Sequence, residues 1–441
     1  MAQSHLLGLP RIGAKRELKF ALEKYWREET SQEELQQVAH SIRQQNWSTA
    51  LDKGIDWLTV GDFSFYDQVL DTSILLGVTP ERFENGQADN LLDNYFRIAR
   101  GSAPQGSQVQ PSEMTKWFNT NYHYIVPEFN QEQQFSLNLD LLQPQIDQAK
   151  DLSSKVKVQL IGPVTYLWLG KSRDQTDFNK LGLLPQLVKT YQQLLNHLEQ
   201  QGIEWVQIEE PILALDLDDS WVNAVTQAYT ELGADAGVKL LLTTYFGHIT
   251  DKLDRIAELP LEGLHLDLVS GGNEQLAEVA QNWPKSKVLS VGIVNGRNIW
   301  RNDLKSSLDA LKQSKERYGD NLWVSSSCSL LHSPVDLNSE KQLDDELQSW
   351  LAFAEQKVQE IADLCKALNH GDEAIKESLQ ASDAAVASKK SSSLVHNSNV
   401  QQRVAAISEL ERQRKSEFAQ RKIAQREHFQ FPLLATTTIG S

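Results

Sequence analysis

The nine residues Arg11-Ile12-Gly13-Ala14-Lys15-Arg16-Glu17-Leu18-Lys19 include four cations, in a chain whose formal net charge is -16. They follow a short apolar run, His5 to Leu9. Leu18, Ala21, Leu22 and Tyr25 recur at helical spacing, which places a helix start near Lys15. The free N-terminal amides and dipole of that helix would add to the Arg and Lys charge. A ligand carrying several carboxylates or phosphates suits such a segment. A solvated helix face, with Glu17 and nearby acids as partners, accounts for the same residues.

Three further groupings could carry chemistry. Glu113 to Tyr124 reads Glu-Met-Thr-Lys-Trp-Phe-Asn-Thr-Asn-Tyr-His-Tyr, dense in aromatic and hydrogen-bonding groups. It could stack a planar ring while Lys116 meets an anion, or it could pack a small core of its own. Trp205-Val206-Gln207-Ile208-Glu209-Glu210-Pro211 is a strand ending in two acids. Neighbouring strand residues point to opposite sides, which weakens Glu209 and Glu210 as the facing pair a glycosidase requires; one acid could face the barrel mouth, and structural hydrogen bonding to neighbouring strand ends accounts for the two at least as well. Cys328-Ser329-Leu330-Leu331-His332 offers a thiol and an imidazole to a metal, without an evident further ligand; a buried inert Cys beside a polar His is the other reading.

The elements that must position these residues alternate. Strand-like runs lie at His5 to Leu9, Trp57 to Val60, Val156 to Ile161, Trp205 to Ile208, Val238 to Thr243, Gly263 to Leu268, Val288 to Val294 and Leu322 to Ser326, separated by helical stretches. Several are apolar on successive residues, as strands buried on both faces should be. The pattern predicts an α/β fold, a (β/α)₈ TIM barrel with insertions, over residues 1–370. An open doubly wound sheet is the alternative, but no Gly-rich dinucleotide fingerprint follows the first run. Residues 63–128 exceed one crossover and read as an insertion. Residues 371–430 read as a Ser-, Ala- and Lys-rich linker, whose Ala-rich first half could equally extend the preceding helix, and then a long, mostly polar helix from Val400 to Phe429, about 45 Å at 1.5 Å per residue. Residues 431–441 read as the opening of a second barrel, so the chain is expected to be the front part of a longer protein.

Composition narrows the classes. Hydrophobic residues make up 40% and charged residues 23% of 441, which suits a globular protein. The acidic balance argues against nucleic acid or an anionic membrane as partner. Cys328 and Cys365 are the only two cysteines, too few for a disulfide framework, and neither a signal segment nor a membrane span is evident. A cytoplasmic protein is expected.

Taken together, several segments resemble the N-terminal half of cobalamin-independent methionine synthase, the 5-methyltetrahydropteroyltriglutamate–homocysteine methyltransferase. They are Gly8-Leu9-Pro10-Arg11-Ile12-Gly13 with Arg16 to Lys19, Val60-Gly61-Asp62-Phe63, Met114 to Tyr124 and Ile161-Gly162-Pro163-Val164-Thr165. Gln207 to Pro211, Asn295-Gly296-Arg297-Asn298, Ser327 to Pro334 and Thr437 to Ser441 complete the set. The resemblance implies two barrels joined by a long helix, with 5-methyltetrahydropteroyltri-L-glutamate between them and a methyl group passing to L-homocysteine. It implies a zinc ion, bound by His, Glu and two Cys of the C-terminal barrel, that activates homocysteine as a thiolate. Arg16, Glu17, Leu18, Lys19 and Lys116 match the family's folate and polyglutamate positions, and Ile439, Gly440 and Ser441 match the start of its homocysteine site. Where the second barrel would place a His-and-Cys motif, this chain has Thr243-Thr244-Tyr245-Phe246, and only Cys328 resembles a ligand position, so no metal is expected here. The isolated chain is therefore expected to be inactive. A non-catalytic module presenting polyglutamylated folate is the competing class; a carbohydrate-active barrel rests only on Glu209 and Glu210.

Overall fold

The structure, a computed structural model, describes residues 1–172, 178–234 and 236–438. It divides into two compact units, Met1–Val386 and Ala387–Ser441. Ile439, Gly440 and Ser441, on which the homocysteine expectation falls, lie outside the described residues.

In the first unit eight strands form one parallel sheet: β1 (Gln3–Ser4), β2 (Leu58–Val60), β3 (Val156–Ile161), β4 (Trp205–Glu209), β5 (Lys239–Thr243), β6 (Gly263–Asp267), β7 (Val288–Val294) and β8 (Leu322–Ser326). Hydrogen-bonded neighbours follow the order β1-β8-β7-β6-β5-β4-β3-β2. A parallel bridge from His5 to Trp57 also links the residues beside β1 and β2. Helices fill the intervals, so the chain is α/β as expected. The first strand is displaced from its expected position at His5 to Leu9. The carbonyl of Leu6 accepts from Thr59 Oγ1 at 2.7 Å and Lys157 Nζ at 2.9 Å, so side chains and not a neighbouring strand take up that backbone group.

The two faces of the sheet differ. Val206 and Ile208 of β4, Leu240 and Leu242 of β5 and Leu264 and Leu266 of β6 belong to the main apolar core. Their alternates are largely polar yet equally buried: Lys157, Gln207, Glu209, Thr243, His265 and Ser290 are each at most 1% exposed. Several of these groups bond one another, while His5 Nδ1 and His265 Nε2 keep no hydrogen-bond partner among the described residues. Ser290 Oγ lies 2.6 Å from His5 Nε2 and 2.7 Å from His265 Nδ1. The expected burial on both faces is present, and several strands carry successive apolar residues, but one face is lined largely by buried polar groups. Near the N-terminal ends of the strands Trp57, Trp205, Leu241, Val288 and Trp323 form a separate apolar cluster.

The insertion after β2 packs a second core. Helices α1 (Glu17–Trp26), α2 (Gln32–Asp52) and α3 (Gln68–Leu75) contribute Leu18, Leu22, Ile42 and Leu70, which meet Phe83, Tyr95 and Phe96 of the insertion. The first unit also runs past residue 370. A helix Ala354–His370 is followed by a short turn of helix and then Lys376–Ser391. Ser382, 1% exposed, accepts from Leu304 N–H at 3.1 Å and donates to Asn302 O at 2.9 Å, so much of the expected linker is packed structure.

In the second unit the expected continuous helix from Val400 to Phe429 is instead three: Ser398–Ala405, Glu409–Arg412 and Phe418–Phe429. Ser408 starts a new helix with a capping box, its hydroxyl accepting from Glu411 N–H while the Glu411 carboxylate accepts from Ser408 N–H. An N-cap residue is non-helical, so the preceding helix, which closes at Ala405, does not run on through this Ser. No helix among the described residues is long and apolar enough to cross a membrane.

Candidate functional site

The segment after β1 is fixed before it reaches its cations. Leu9 N–H donates to Asp62 Oδ2 at 2.8 Å, and Leu330 N–H to Gly8 O at 3.0 Å. Gly8 has φ +134°, and a Cβ there would lie 2.7 Å from Ser329 Oγ, so only glycine fits this approach to the loop after β8. Arg11 then turns its guanidinium onto the insertion. Nη1 donates to Ser64 O at 2.9 Å, Nη2 to Tyr66 O at 2.5 Å and to the Tyr122 hydroxyl, and the group sits 5.2 Å from the Tyr122 ring centre.

Helix α1 starts at Glu17, two residues after the expected point. Its N-cap, Arg16, is left-handed at φ 62° and offers no side-chain cap. Lys15 N–H donates to Glu17 Oε2 at 2.9 Å, which turns that carboxylate back on the loop. Leu18 is buried in the second core, while Lys19 is half exposed, its Nζ 3.7 Å from Glu23. A groove of about 370 Å³ opens between α1 and the insertion. Arg11, Lys19 and Glu23 bring charge to it; Leu18, Leu22, Trp26, Phe65 and the Tyr122 ring make most of the rest apolar. Of the residues expected to bind folate, Leu18 and Lys19 thus line the groove. Arg16 and Glu17 are exposed at the start of α1, and neither is a lining residue.

Lys116 reaches the same neighbourhood from a hairpin, Met114–Lys116 paired antiparallel with His123–Ile125, in which Lys116 faces His123. Lys116 is exposed and does not line the groove, but Tyr122 in the hairpin loop does. The motif's two readings divide between its residues. Trp117 and Tyr124 are buried in the main core, whereas Lys116, Asn119 and His123 are exposed. Behind the hairpin, Asp67 caps α3 through Val69 and Leu70 N–H and also accepts from Ile125 N–H at 3.0 Å. Burial raises Asp67 to about 6 and Asp71 to about 7, opposed in part by Arg11.

The two acids ending β4 part company. Glu209 accepts from Tyr245 Oη at 2.7 Å and Gln207 Nε2 at 2.8 Å, on the polar face. Glu210 accepts from Val164 N–H, Thr165 N–H and Tyr229 Oη, at the start of the helix Pro163–Leu169. No gap lies between them for a sugar, and the carbohydrate reading loses its basis.

Metal donors are equally dispersed. Cys328 is fully buried, and burial pushes its thiol well above the usual range. The His332 ring packs edge-on to Tyr122 and Phe246, and burial lowers it to about 4. No group of three or more His, Cys, Asp or Glu among the described residues is placed to hold a metal ion. A catalytic zinc needs three protein ligands, and the described donors are not grouped to supply them.

In the sequence Arg297 stands out only within Asn295-Gly296-Arg297-Asn298, and Phe246 only within Thr243-Thr244-Tyr245-Phe246. Yet the Arg297 guanidinium forks onto Asn119, Nη1 to Oδ1 and Nη2 to the carbonyl, both at 2.9 Å, and lies 4.8 Å from the Phe246 ring centre. Asn119 follows Phe118, whose ring stacks on Trp168 at 5.9 Å and 4°. Sequence spacing carried no signal for this contact, which joins residues 178 positions apart.

Comparison with known proteins agrees with the architecture. Residues 3–319 match the family described as cobalamin-independent synthase, N-terminal domain. Two curated relatives, each called 5-methyltetrahydropteroyltriglutamate–homocysteine methyltransferase, come from Photobacterium profundum and Vibrio harveyi. Both are 49% identical over 99% of this chain, covering 56% and 57% of their own lengths. The chain therefore spans somewhat more than half the length of these relatives. Among solved structures, a B12-independent methionine synthase from Shewanella superposes with a TM-score of 0.56 at 14% identity, over 86% of this chain and 98% of that one. A putative vitamin-B12 independent methionine synthase from Listeria monocytogenes gives 0.51 at 11% identity, over 83% and 99%. At such identities these two speak for the fold alone. The match across residues 3–319 settles the family: this chain belongs to the cobalamin-independent synthases, in the part that forms their N-terminal domain.

Proposed function

We propose that this chain is the N-terminal part of a methyltransferase that moves the methyl group of 5-methyltetrahydropteroyltri-L-glutamate to L-homocysteine, giving methionine, and that it holds the folate tail. The observation that carries this reading is the groove beside α1, apolar along most of its wall and charged by Arg11 and Lys19 at its edge. An aminobenzoyl-glutamate chain has that alternation, a flat apolar body followed by a row of carboxylates. The activity is that of the relatives at 49% identity.

Several finer points belong to the same proposal. The parallel bridge between His5 and Trp57 supports closure of the sheet into a (β/α)₈ barrel. A second barrel beyond residue 431 would supply the zinc ligands, a reading supported by the dispersed donors among the described residues, and Ile439, Gly440 and Ser441 would begin the homocysteine site. In the transfer, the S–CH3 bond forms as the N5–CH3 bond breaks, and N5 ends with a proton in place of the methyl. The residues described here take no part in that exchange: they bind and orient the donor. The chain alone is thus a polyglutamyl-folate-binding module without turnover, and its buried, unpaired thiols suit the cytoplasm.

The test uses the full-length enzyme. Lys19→Ala and Lys116→Ala should each raise KM for the triglutamate substrate by about two- to fivefold, as expected for exposed charge contacts, with a smaller change for the monoglutamate. The difference should shrink as salt rises. Equal, salt-insensitive losses on both substrates would remove the tail-binding role.

A further inference from the structure

We propose that Arg297 is a positioning residue that locks the tip of the 114–125 hairpin across the C-terminal end of the sheet and so fixes where Lys116 stands. The proposal rests on the polyglutamyl-folate reading for its functional consequence, but not for its geometry.

The hairpin loop is held at two corners by two arginines from different strand ends. Arg11, after β1, takes the Tyr122 hydroxyl. Arg297, three residues after β7, takes both the side-chain and backbone oxygens of Asn119, at 2.9 Å each. A planar fork bonded twice to one residue fixes orientation as well as distance, which a lysine cannot reproduce. Between the corners the loop closes on itself: Trp117 N–H donates to Tyr122 O at 2.8 Å, and Thr120 N–H to Trp117 O at 3.1 Å. Lys116 directly precedes this closed loop.

Arg297 is itself rigidly mounted. Asn295 Oδ1 accepts from Arg297 N–H at 2.8 Å and Asn298 N–H at 3.1 Å, and Gly296 N–H donates to Ser327 Oγ at 3.1 Å. A Cβ on Gly296 would lie 2.6 Å from Cys328 O, so this turn is pressed against the end of β8. The face of its guanidinium rests on Phe246, and Phe246 also meets Phe118 of the hairpin at 5.9 Å. Phe118 and Phe246 are both non-glycine residues in the left-handed region, at φ 49° and 76°. Such conformations persist where surroundings hold them. Asp267 Oδ2 holds one by accepting from Phe246 N–H at 2.9 Å. Strained backbone, stacked rings and the forked arginine therefore converge on the hairpin tip.

The experiment has two readouts on the full-length protein. The first is amide hydrogen exchange at Trp117 and Thr120. Arg297→Ala should accelerate both by about tenfold, the factor expected from losing charge-assisted hydrogen bonds, without changing the global unfolding midpoint. Arg297→Lys should recover little of the protection. Asn119→Ala, which keeps the backbone acceptor, should show the smaller effect. Unchanged exchange in Arg297→Ala overturns the proposal whatever the substrate. The second readout is KM for triglutamate against monoglutamate. Arg297→Ala should mimic Lys116→Ala, with kcat unchanged, and adding it to Lys116→Ala should cost nothing further. Multiplying losses in the double variant would mean that Arg297 meets the substrate itself, which also overturns the positioning role. If exchange quickens while Lys116→Ala shows no triglutamate preference, the tail reading has failed and the hairpin lock stands.

Discussion

Lys157 and Lys19 are both cations near acids, and the molecule treats them in opposite ways. Lys157 is fully buried on the polar face of the sheet, bonded to Leu6 O and Gln207 Oε1, with Glu209 and Asp62 as charged neighbours. Burial pulls its pKa down and pushes Glu209 up. Lys19 is 48% exposed and keeps Glu23 only at 3.7 Å. A buried ion cluster has its geometry dictated by its partners and answers to no ligand, whereas a loosely paired lysine at a groove can exchange its partner for a substrate carboxylate at little cost. The same residue type thus specifies structure in one place and stays available in the other.

That contrast can be broken by experiment. The largest effect is expected from Lys157→Met, which removes the donor to Gln207 Oε1 and the cation beside Glu209 and should cost about 3–5 kcal/mol in denaturant unfolding. Adding Glu209→Gln should recover part of the loss; a single variant as stable as the parent would show the cluster contributes nothing.

The next effect concerns pH. Burial raises Glu210 from 4.5 to about 7, and Asp71 and Glu360 also reach about 7. Between these values the native chain retains protons that the unfolded chain has released. Stability associated with the protonated Glu210 is complete below about pH 4.5 and is lost as pH rises to about 7. Glu210→Gln should flatten the slope of stability against pH in that window by one proton's worth, about 1.4 kcal/mol per pH unit. An unchanged slope would show that Glu210 ionises normally.

Gly8→Ala tests whether the rim shares the rigidity of the interior. The positive φ and the 2.7 Å approach to Ser329 predict a loss of about 1–3 kcal/mol, read as a lower Tm. Smallest of all, Lys19→Ala should leave stability within about 0.5 kcal/mol while changing tail affinity. A large stability loss there would erase the distinction.

The strand positions were legible because each run of β-branched and aliphatic residues is bounded by turns, and seven strands overlap their expected runs, while β1 lies just before its own. Their polar alternates were visible as letters, but their burial was not, because pairing among Lys157, Gln207 and Glu209 is a property of neighbouring strands. Ser408 was visible too, yet its capping role competes with the helical periodicity of Val400, Val404, Ile407 and Leu410 on either side of it. At the candidate site, the cations after β1 announced themselves by local density. Arg297 did not, since one arginine gains meaning only from Asn119, far away in the chain.

Cys328 and Cys365 are unpaired and at most 5% exposed, and burial raises both thiols, Cys365 to about 12. Since the thiolate is the reactive form, neither should react readily with a maleimide at neutral pH. A cysteine placed at an exposed hairpin position such as His123 should therefore accept a dye or spin label alone, with no need to remove the two native cysteines. The chain is in that sense already prepared for optical or magnetic tracking of its hairpin.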